Sequence, residues 1–421
     1  MDNRGKMREL TLGYEWETLL LNKYGLPSKS SEMKNFIVKV RSKNPHSRCG
    51  TDWIPGLKRA LFEIRSGVLR NKREIRKRTK KLIETTLEFS KEEGFRFLPI
   101  GSFPPFGGAI GLHIHIGSWE KTKGLQELAN RALPYLPSFA ALSVNSPFWG
   151  MAPFRPPFGV KSYRLKHHAQ EMSVPSYSKP ALSHLSWERD ITVKFLSHPT
   201  IEIRICDAPL SWLFVCEITA FISSFIVESK KYLEPIRKAR FIEAIDNRLR
   251  AMRDGLQAKF LWKGKEREVT DILKEMIKIA QPTLKELGYE NLPLIEKMIK
   301  KRQTQADFLF YLFQNYGGDI FDFTQYLAAS LNYIDDPFNT YLAFAPTLEV
   351  KNLMDIDEYL LSMIGKRTRY GNLYRVLYQP TSEFERRIEN LKKKKLISTQ
   401  FDEEKGALFS RLFKTEDEKK N

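Results

Sequence analysis

Gly111-Leu112-His113-Ile114-His115-Ile116-Gly117 is an alternating run closed at both ends by glycine. Successive side chains of a β-strand point to opposite faces. Leu112, Ile114 and Ile116 therefore form an apolar face, and His113 and His115 stand side by side on the other. The chain has seven histidines in all, so two on one strand face carry weight. Neutral imidazole ligates metals and also holds phosphate groups. A hydrogen-bonded structural histidine describes either ring alone better than it describes the pair.

Three further segments obey the same rule. In Leu12-Gly13-Tyr14-Glu15-Trp16-Glu17-Thr18-Leu19, Tyr14 and Trp16 point one way and Glu15 and Glu17 the other. Two carboxylates about 7 Å apart on one face suit oxygen-seeking divalent cations. Taken singly, an acidic strand face is usually just solvated. In Ala60-Leu61-Phe62-Glu63-Ile64-Arg65-Ser66-Gly67, Phe62 and Ile64 share one face and Glu63 and Arg65 the other. In Thr200-Ile201-Glu202-Ile203-Arg204-Ile205-Cys206-Asp207, three isoleucines line one face and Glu202, Arg204 and Cys206 the other. A carboxylate and a guanidinium two positions apart suit a metal ligand beside an anion clamp. The plain alternative is a surface ion pair of little worth. Cys206 is read as a packing residue. If the four strands share one sheet, their polar faces merge into a site for metal ions and a polyanion.

The rest of the chain frames this site. It has 421 residues, 42% of them hydrophobic, enough for one large domain or two ordinary ones. A net charge of +19 draws polyanions such as nucleotides, nucleic acid, anionic lipid or acidic metabolites, without choosing among them. Three cysteines, with no CxxC pair, give neither a disulfide framework nor a zinc site. No apolar run is long enough for a membrane span. Trp212–Val227 comes closest, but Cys216, Glu217, Ser223 and Ser224 interrupt it, so it reads as a buried helix. The N-terminal MDNRGKMREL lacks an apolar signal core, and a cytoplasmic location with no membrane partner is expected.

Residues 1–235 are expected to form the catalytic sheet domain and 236–331 a helical part of the same unit. Residues 332–421 are expected to form a C-terminal extension, mostly helical with a basic tail. Ile236–Arg253 and Val269–Leu287 have helical spacing, and Pro282 is expected to divide the second. Arg70–Lys81, RNKREIRKRTKK, has no interleaved aromatics for base stacking, so a solvated helix face is favoured over a nucleic-acid face. The basic charge still leaves a nucleic-acid partner open.

Gly13–Glu17, Glu63–Arg65, Gly111–His115 and Thr200–Asp207 resemble the second family of glutamate–cysteine ligases, whose best-known bacterial members are called weak carboxylate–amine ligases. Leu98–Pro104, Ala141–Trp149, Ser162-Tyr163-Arg164 and Asn247–Leu256 look like that family in the same order. The resemblance covers roughly residues 10 to 310. Glutamine synthetases carry similar Glu-x-Glu, Gly-Met-His-x-His and Ile-Glu-x-Arg strands, and guanidino kinases share the sheet. The implied fold is α+β: a glutamine synthetase-like catalytic domain, with a twisted antiparallel sheet, a concave active face and flanking helices.

Carried over by residue, the resemblance implies that Glu15, Glu17, Glu63, His113 and Glu202 are magnesium ligands. It places His115 near the nucleotide phosphates and Arg204 at the transferring phosphoryl group or the acid substrate. Arg65 and Arg164 would contact reacting anions, and Arg253 and Asn247 would lie on the nucleotide side. Leu249 stands where the family usually has Trp, and the proline-rich stretch Gly150–Gly159 is unlike family versions, so family substrates need not transfer.

The chemistry explains the residue types. An amine does not displace oxide from a carboxylate. ATP removes this obstacle by phosphorylating the acid, and the acyl phosphate then loses phosphate to the amine. Two anions meet in the first step, so magnesium and arginines must neutralise and orient them. Manganese is a possible substitute. Water must be excluded from the acyl phosphate. The expected function is an ATP- and magnesium-dependent ligase joining a carboxylic acid, with glutamate the leading candidate, to an amine. A homo-oligomer is implied by the relatives. Two alternatives stay open: a phosphotransferase on the same sheet acting on a guanidino or carboxyl group, and a basic nucleic-acid-binding protein with a vestigial site.

Overall fold

The computed structural model describes residues 10–54, 59–117, 122–149, 152–153, 160–167, 190–194, 200–233 and 238–349, and in the C-terminal part 368–369, 389, 392–394, 397–402 and 406–411. Its centre is an antiparallel sheet. The strands are β1 (Thr11–Leu21), β2 (Arg48–Trp53), β3 (Ala60–Arg65), β4 (Arg96–Leu98) and β5 (Gly111–Gly117), followed after a short hairpin of β6 (Phe148–Trp149) and β7 (Ala152–Pro153) by β8 (Ile191–Lys194) and β9 (Thr200–Asp207). The order is β2-β3-β1-β5-β9-β8, with β4 paired to the far end of β1. All four segments singled out in the sequence are therefore strands of one sheet, and they are consecutive neighbours in it.

Alternation decides which face is buried. Tyr14 pairs with Ile114, Trp16 with Leu112 and with Ile64, and Ile114 with Ile203. These side chains are all buried. Against the sheet packs α6 (Trp212–Tyr232), which contacts β1 and β5 and also, among other helices, α2 (Lys72–Glu92), α3 (Thr122–Ala132) and α8 (Val269–Glu286). Ser211 starts α6 by accepting the Phe214 N–H at 3.0 Å. By length and composition α6 could cross a membrane, yet most of it is buried inside the protein. Its one acidic residue on the buried face, Glu217, accepts the N–H groups of Leu294 and Ile295, each at 3.0 Å. The buried carboxylate thereby caps α9 (Pro293–Lys301), which offsets the cost of its desolvation.

The basic run Arg70–Lys81 enters α2, which Asn71 caps by accepting the Glu74 N–H at 3.0 Å. Ile75, Thr79, Leu82 and Ile83 are buried, and the Tyr14 hydroxyl meets Thr79 Oγ1 at 2.8 Å. Arg73, Arg76, Lys77, Lys80 and Lys81 are exposed on the other side. The run is thus the solvated face of a helix whose apolar face locks onto the sheet.

The remaining helices are α1 (Lys34–Lys43), α4 (Leu136–Ser143), α5 (Tyr163–His167), α7 (Lys238–Asp254), α10 (Gln305–Tyr316), α11 (Ile320–Ser330) and α12 (Pro337–Phe344). Two local expectations fail. Helix α8 continues through Pro282, which forfeits one backbone hydrogen bond without ending the helix. Between α7 and α8 the chain forms a hairpin of β10 (Lys259–Trp262) and β11 (Lys265–Glu268). Lys263 and Gly264 both have positive φ, as a type I′ turn requires. Beyond α12, the described residues include β12 (Thr368–Arg369), β13 (Ile397–Asp402) and β14 (Gly406–Arg411), ordered β12-β14-β13. The segment expected to be a helical tail thus contains strands. Ile397-Ser398-Thr399-Gln400-Phe401 is rich in β-branched and aromatic residues, and this overrides the charge density that suggested a helix. The proline-rich stretch Gly150–Gly159, apart from the backbone of residues 152–153, and the last ten residues lie outside the described residues.

Candidate active site

Residues directly opposite each other in an antiparallel ladder share a face. Glu15 is opposite both Arg65 and His113, Glu17 is opposite Glu63, and His115 is opposite Glu202. The polar face of the sheet thus carries Glu63 and Arg65 on β3, Glu15 and Glu17 on β1, His113 and His115 on β5, and Glu202 and Arg204 on β9. Eight of the eleven residues singled out in the sequence converge here.

The contacts are close. His115 Nε2 lies 3.5 Å from Glu15 Oε2 and 3.8 Å from Glu202 Oε1. His113 Nδ1 lies 3.6 Å from Glu15 and 3.7 Å from Glu202, and its Nε2 lies 3.7 Å from Glu17. Arg204 Nη1 donates to Glu202 Oε1 at 2.7 Å and lies 3.3 Å from His113 Nδ1. Arg65 pairs with Glu63 and approaches Glu15 at 3.4 Å. Glu17 Oε2 accepts the Gly111 N–H at 2.5 Å.

A divalent cation fits these residues. Ligand atoms of Glu15, His115 and Glu202 all lie within 4.8 Å of one another. Glu202 Oε2 is buried and lacks a hydrogen-bond partner among the described residues. Hard carboxylate oxygens with one imidazole make a donor set suited to magnesium or manganese. The geometry groups His115 with this set, beyond the phosphate-side role the resemblance implied. His113 lies at the centre of the surrounding carboxylates.

The electrostatics express the same crowding. Burial and the charge of Glu15 push the Glu63 carboxyl up to about 8, with Arg65 opposing. Burial also disfavours ionised Glu15, but hydrogen bonds to His113 and His115 and their charges hold its carboxyl well below the usual range. Glu202 is likewise desolvated, yet Arg204, both histidines and Lys194 keep it low. Stacked carboxylates in one buried face call for positive charge.

The other three expected site residues make contacts of their own. The Arg164 guanidinium is buried and donates to the Arg204 carbonyl at 2.8 Å and the Ile205 carbonyl at 3.3 Å. It lies beside His113 at the edge of the cluster, where a Cβ on Gly111 would come within 2.5 Å of Arg164 Nη2 and 3.2 Å of His113 Nε2, and it supports β9. Arg253 pairs with Asp254, with Nε 2.8 Å from Oδ2. Asn247 donates to the Leu261 carbonyl at 2.8 Å and accepts the Leu261 N–H at 2.7 Å, fastening α7 to β10. Cys206 leaves the face on which alternation placed it. It pairs with Leu112, on the apolar side, because the β5–β9 register shifts between Leu112 and Ile114.

One residue of the cluster escaped sequence reasoning. Lys194, on β8, reaches Glu202 Oε1 at 3.1 Å. A four-residue strand with a single terminal lysine offers no pattern that would reveal it. Lys194 would compete with a cation bound to the same carboxylate. Its side chain is about a quarter exposed (27%), and partly exposed pairs are worth under about 1 kcal/mol. Lys194→Ala is therefore expected to tighten manganese binding to the nucleotide-free protein about threefold. Titration followed by electron paramagnetic resonance measures this, and weakened binding would show that Lys194 does not compete.

No family model matches the chain. A protein of Solibacter usitatus (strain Ellin6076) named "Putative glutamate--cysteine ligase 2" is 26% identical across 56% of this chain and 72% of its own length. A protein of Nocardia farcinica (strain IFM 10152) named "Putative glutamate--cysteine ligase 2-2" is 30% identical across 42% of this chain and 51% of its own length. Among solved structures, a bifunctional glutathione synthetase from Pasteurella multocida superposes with a TM-score of 0.53 at 12% identity, over 88% of this chain and 57% of that one. This last likeness is one of fold. The chain thus spans about half the length of the Nocardia relative and of the glutathione synthetase. It is a relative of the proteins named glutamate--cysteine ligase 2, as its strand motifs led one to expect.

Proposed function

We propose that this relative of the glutamate--cysteine ligase 2 proteins is an ATP- and magnesium-dependent ligase joining a carboxylic acid, with glutamate the leading candidate, to an amine. One observation carries the reading: four neighbouring strands present six metal-type ligands and two arginines on a single face. The names of the curated relatives support the same reaction class.

Glu15, His115 and Glu202 would hold one magnesium ion, with Glu17, Glu63 and His113 beside them for further coordination. When bound, the ion neutralises phosphate charge and orients the phosphoryl group. Arg204 and Arg65 sit at the edges of this cluster, where each can turn from a carboxylate to an incoming anion. A carboxylate oxygen of the acid attacks the γ-phosphorus and the bond to ADP breaks. The amine nitrogen then attacks the acyl carbon, the C–O bond to phosphate breaks, and the nitrogen's proton passes to the departing phosphate. The residues of the face supply position and charge rather than a covalent nucleophile, and buried Cys206 is not needed.

The test is a matrix of acids against amines with Mg-ATP, followed by ADP release and product mass. An amide of new mass formed with ADP and phosphate supports the ligase. A phosphorylated acceptor without an amide replaces it by a phosphotransferase. Salt-sensitive nucleic-acid binding that survives loss of Glu15 and Glu202, without ATP turnover, replaces it by the binding-protein reading.

A further inference from the structure

The β5–β9 ladder contains an irregularity at the cluster. Leu112 pairs with Cys206 and Ile114 with Ile203, so His113 alone on β5 faces both Arg204 and Ile205 on β9. Two residues against one is a β-bulge, a device that re-aims side chains. The carbonyls of these same two residues are the ones Arg164 takes, Arg204 through Nη2 at 2.8 Å and Ile205 through Nη1 at 3.3 Å.

The clasp is built in, not incidental. Arg164 is buried, and its charge is balanced by Asp207, whose Oδ1 lies 3.6 Å from Nη1. Past the bulge Asp207 returns to the polar face, opposite Gly111. It is fixed there by the Asn145 N–H at 2.8 Å, Ser146 Oγ at 2.7 Å and Ser162 Oγ at 2.9 Å. Gly111 provides the space: a Cβ there would lie 2.5 Å from Arg164 Nη2 and 3.2 Å from His113 Nε2. On the other edge of β9, the Arg204 N–H donates to the Asp190 carbonyl at 2.8 Å. Arg204 is therefore gripped at both its carbonyl and its N–H while its side chain reaches Glu202 and His113.

We propose that Arg164 is a positioning residue, a clasp on the β9 bulge that aims Arg204 at the phosphoryl group. The target of Arg204 rests on the ligase reading, whereas the clasp and its effect on the Arg204–His113 contact do not.

The experiment compares Arg164→Met, Arg164→Lys and Gly111→Ala, alone and combined with Arg204→Lys. Gly111→Ala removes no charge but pushes a methyl group into the guanidinium, so it disturbs the clasp even if Arg164→Met fails to fold. A displacement near 1 Å can cost up to about 100-fold in rate. Arg164→Met and Gly111→Ala are expected to lower kcat about 10- to 100-fold, with the KM for ATP within about threefold, and Arg164→Lys to recover part of the loss. In the Arg204→Lys background, Arg164→Met is expected to add less than about threefold, since the residue it aims is already gone. Undiminished multiplication of the two effects overturns the proposal, as does a rise confined to the KM of the acid. The ring 15N resonance of His113, assigned by His113→Gln, reads the clasp without turnover. It is expected to move in Arg164→Met and Gly111→Ala, and an unmoved resonance overturns the proposal even in a protein that proves not to be a ligase.

Discussion

Glu202→Gln is expected to lower Mg-ATP turnover about a thousandfold, a loss of about 4 kcal/mol in transition-state stabilisation. Glu202 is where the site converges. It is fully buried and contacts both histidines, Arg204 and Lys194, and it belongs to the one cation-sized group found among the described residues. Glutamine keeps the shape and can still accept the 2.7 Å hydrogen bond from Arg204, so the strand need not distort. The amide loses the negative charge, and with it most of the affinity for a hard divalent cation. Circular dichroism melting separates this from unfolding: a folded variant without turnover is the expected result. Turnover within about tenfold of the parent, in a folded variant, would remove Glu202 from the machinery and with it the reading of the whole face. His115→Gln is the companion measurement, because His115 shares the cation group but not the Arg204 contact.

The polar face was legible because strand alternation is a simple code. Glu15 and Glu17, Glu63 and Arg65, and His113 and His115 each stand where a period of two places them, and the apolar residues between them are the buried core. The code failed where the backbone departed from regularity. Past Arg204 the bulge inserts one residue, which sends Cys206 to the apolar side and brings Asp207 to the polar one. No composition rule signals that insertion, because Ile205 and Cys206 are acceptable on either face. Arg164, Arg253 and Asn247 were legible as residue types but not as contacts. A guanidinium or amide in a motif says that hydrogen bonds are made, but not with what. Here the partners include the carbonyls of β9, Asp254 and Leu261. The hairpin at Lys263-Gly264 was hidden inside a charged stretch whose helical spacing on both sides dominated the reading.

A second buried pair sets the expected stability of this arrangement. Asp190→Ala is expected to lower the free energy of unfolding by about 3–5 kcal/mol, the usual cost of stranding one partner of a buried ion pair. Asp190 and Arg248 are both essentially inaccessible, with Arg248 Nε 2.7 Å from Oδ2 and Nη2 3.2 Å from Oδ1. The pair joins the start of β8 to α7, and the Asp190 carbonyl also receives the Arg204 N–H at 2.8 Å. Removing the carboxylate leaves a guanidinium in the core whose remaining hydrogen bond among the described residues is to the Leu165 carbonyl at 3.4 Å. Urea unfolding measures the loss, and a change below about 1 kcal/mol would mean that water reaches Arg248 and compensates it. The double variant Asp190→Leu with Arg248→Met isolates the cause. An apolar pair of similar volume avoids the stranded charge and is expected to recover most of the stability, because the attraction within a buried pair barely exceeds the desolvation it requires. If the double variant stays as unstable as Asp190→Ala, the pair contributes through geometry that apolar packing cannot replace. Loss of turnover in a double variant restored to stability would mean that the carbonyl of residue 190, which the substitution keeps, has shifted from the Arg204 N–H it anchors.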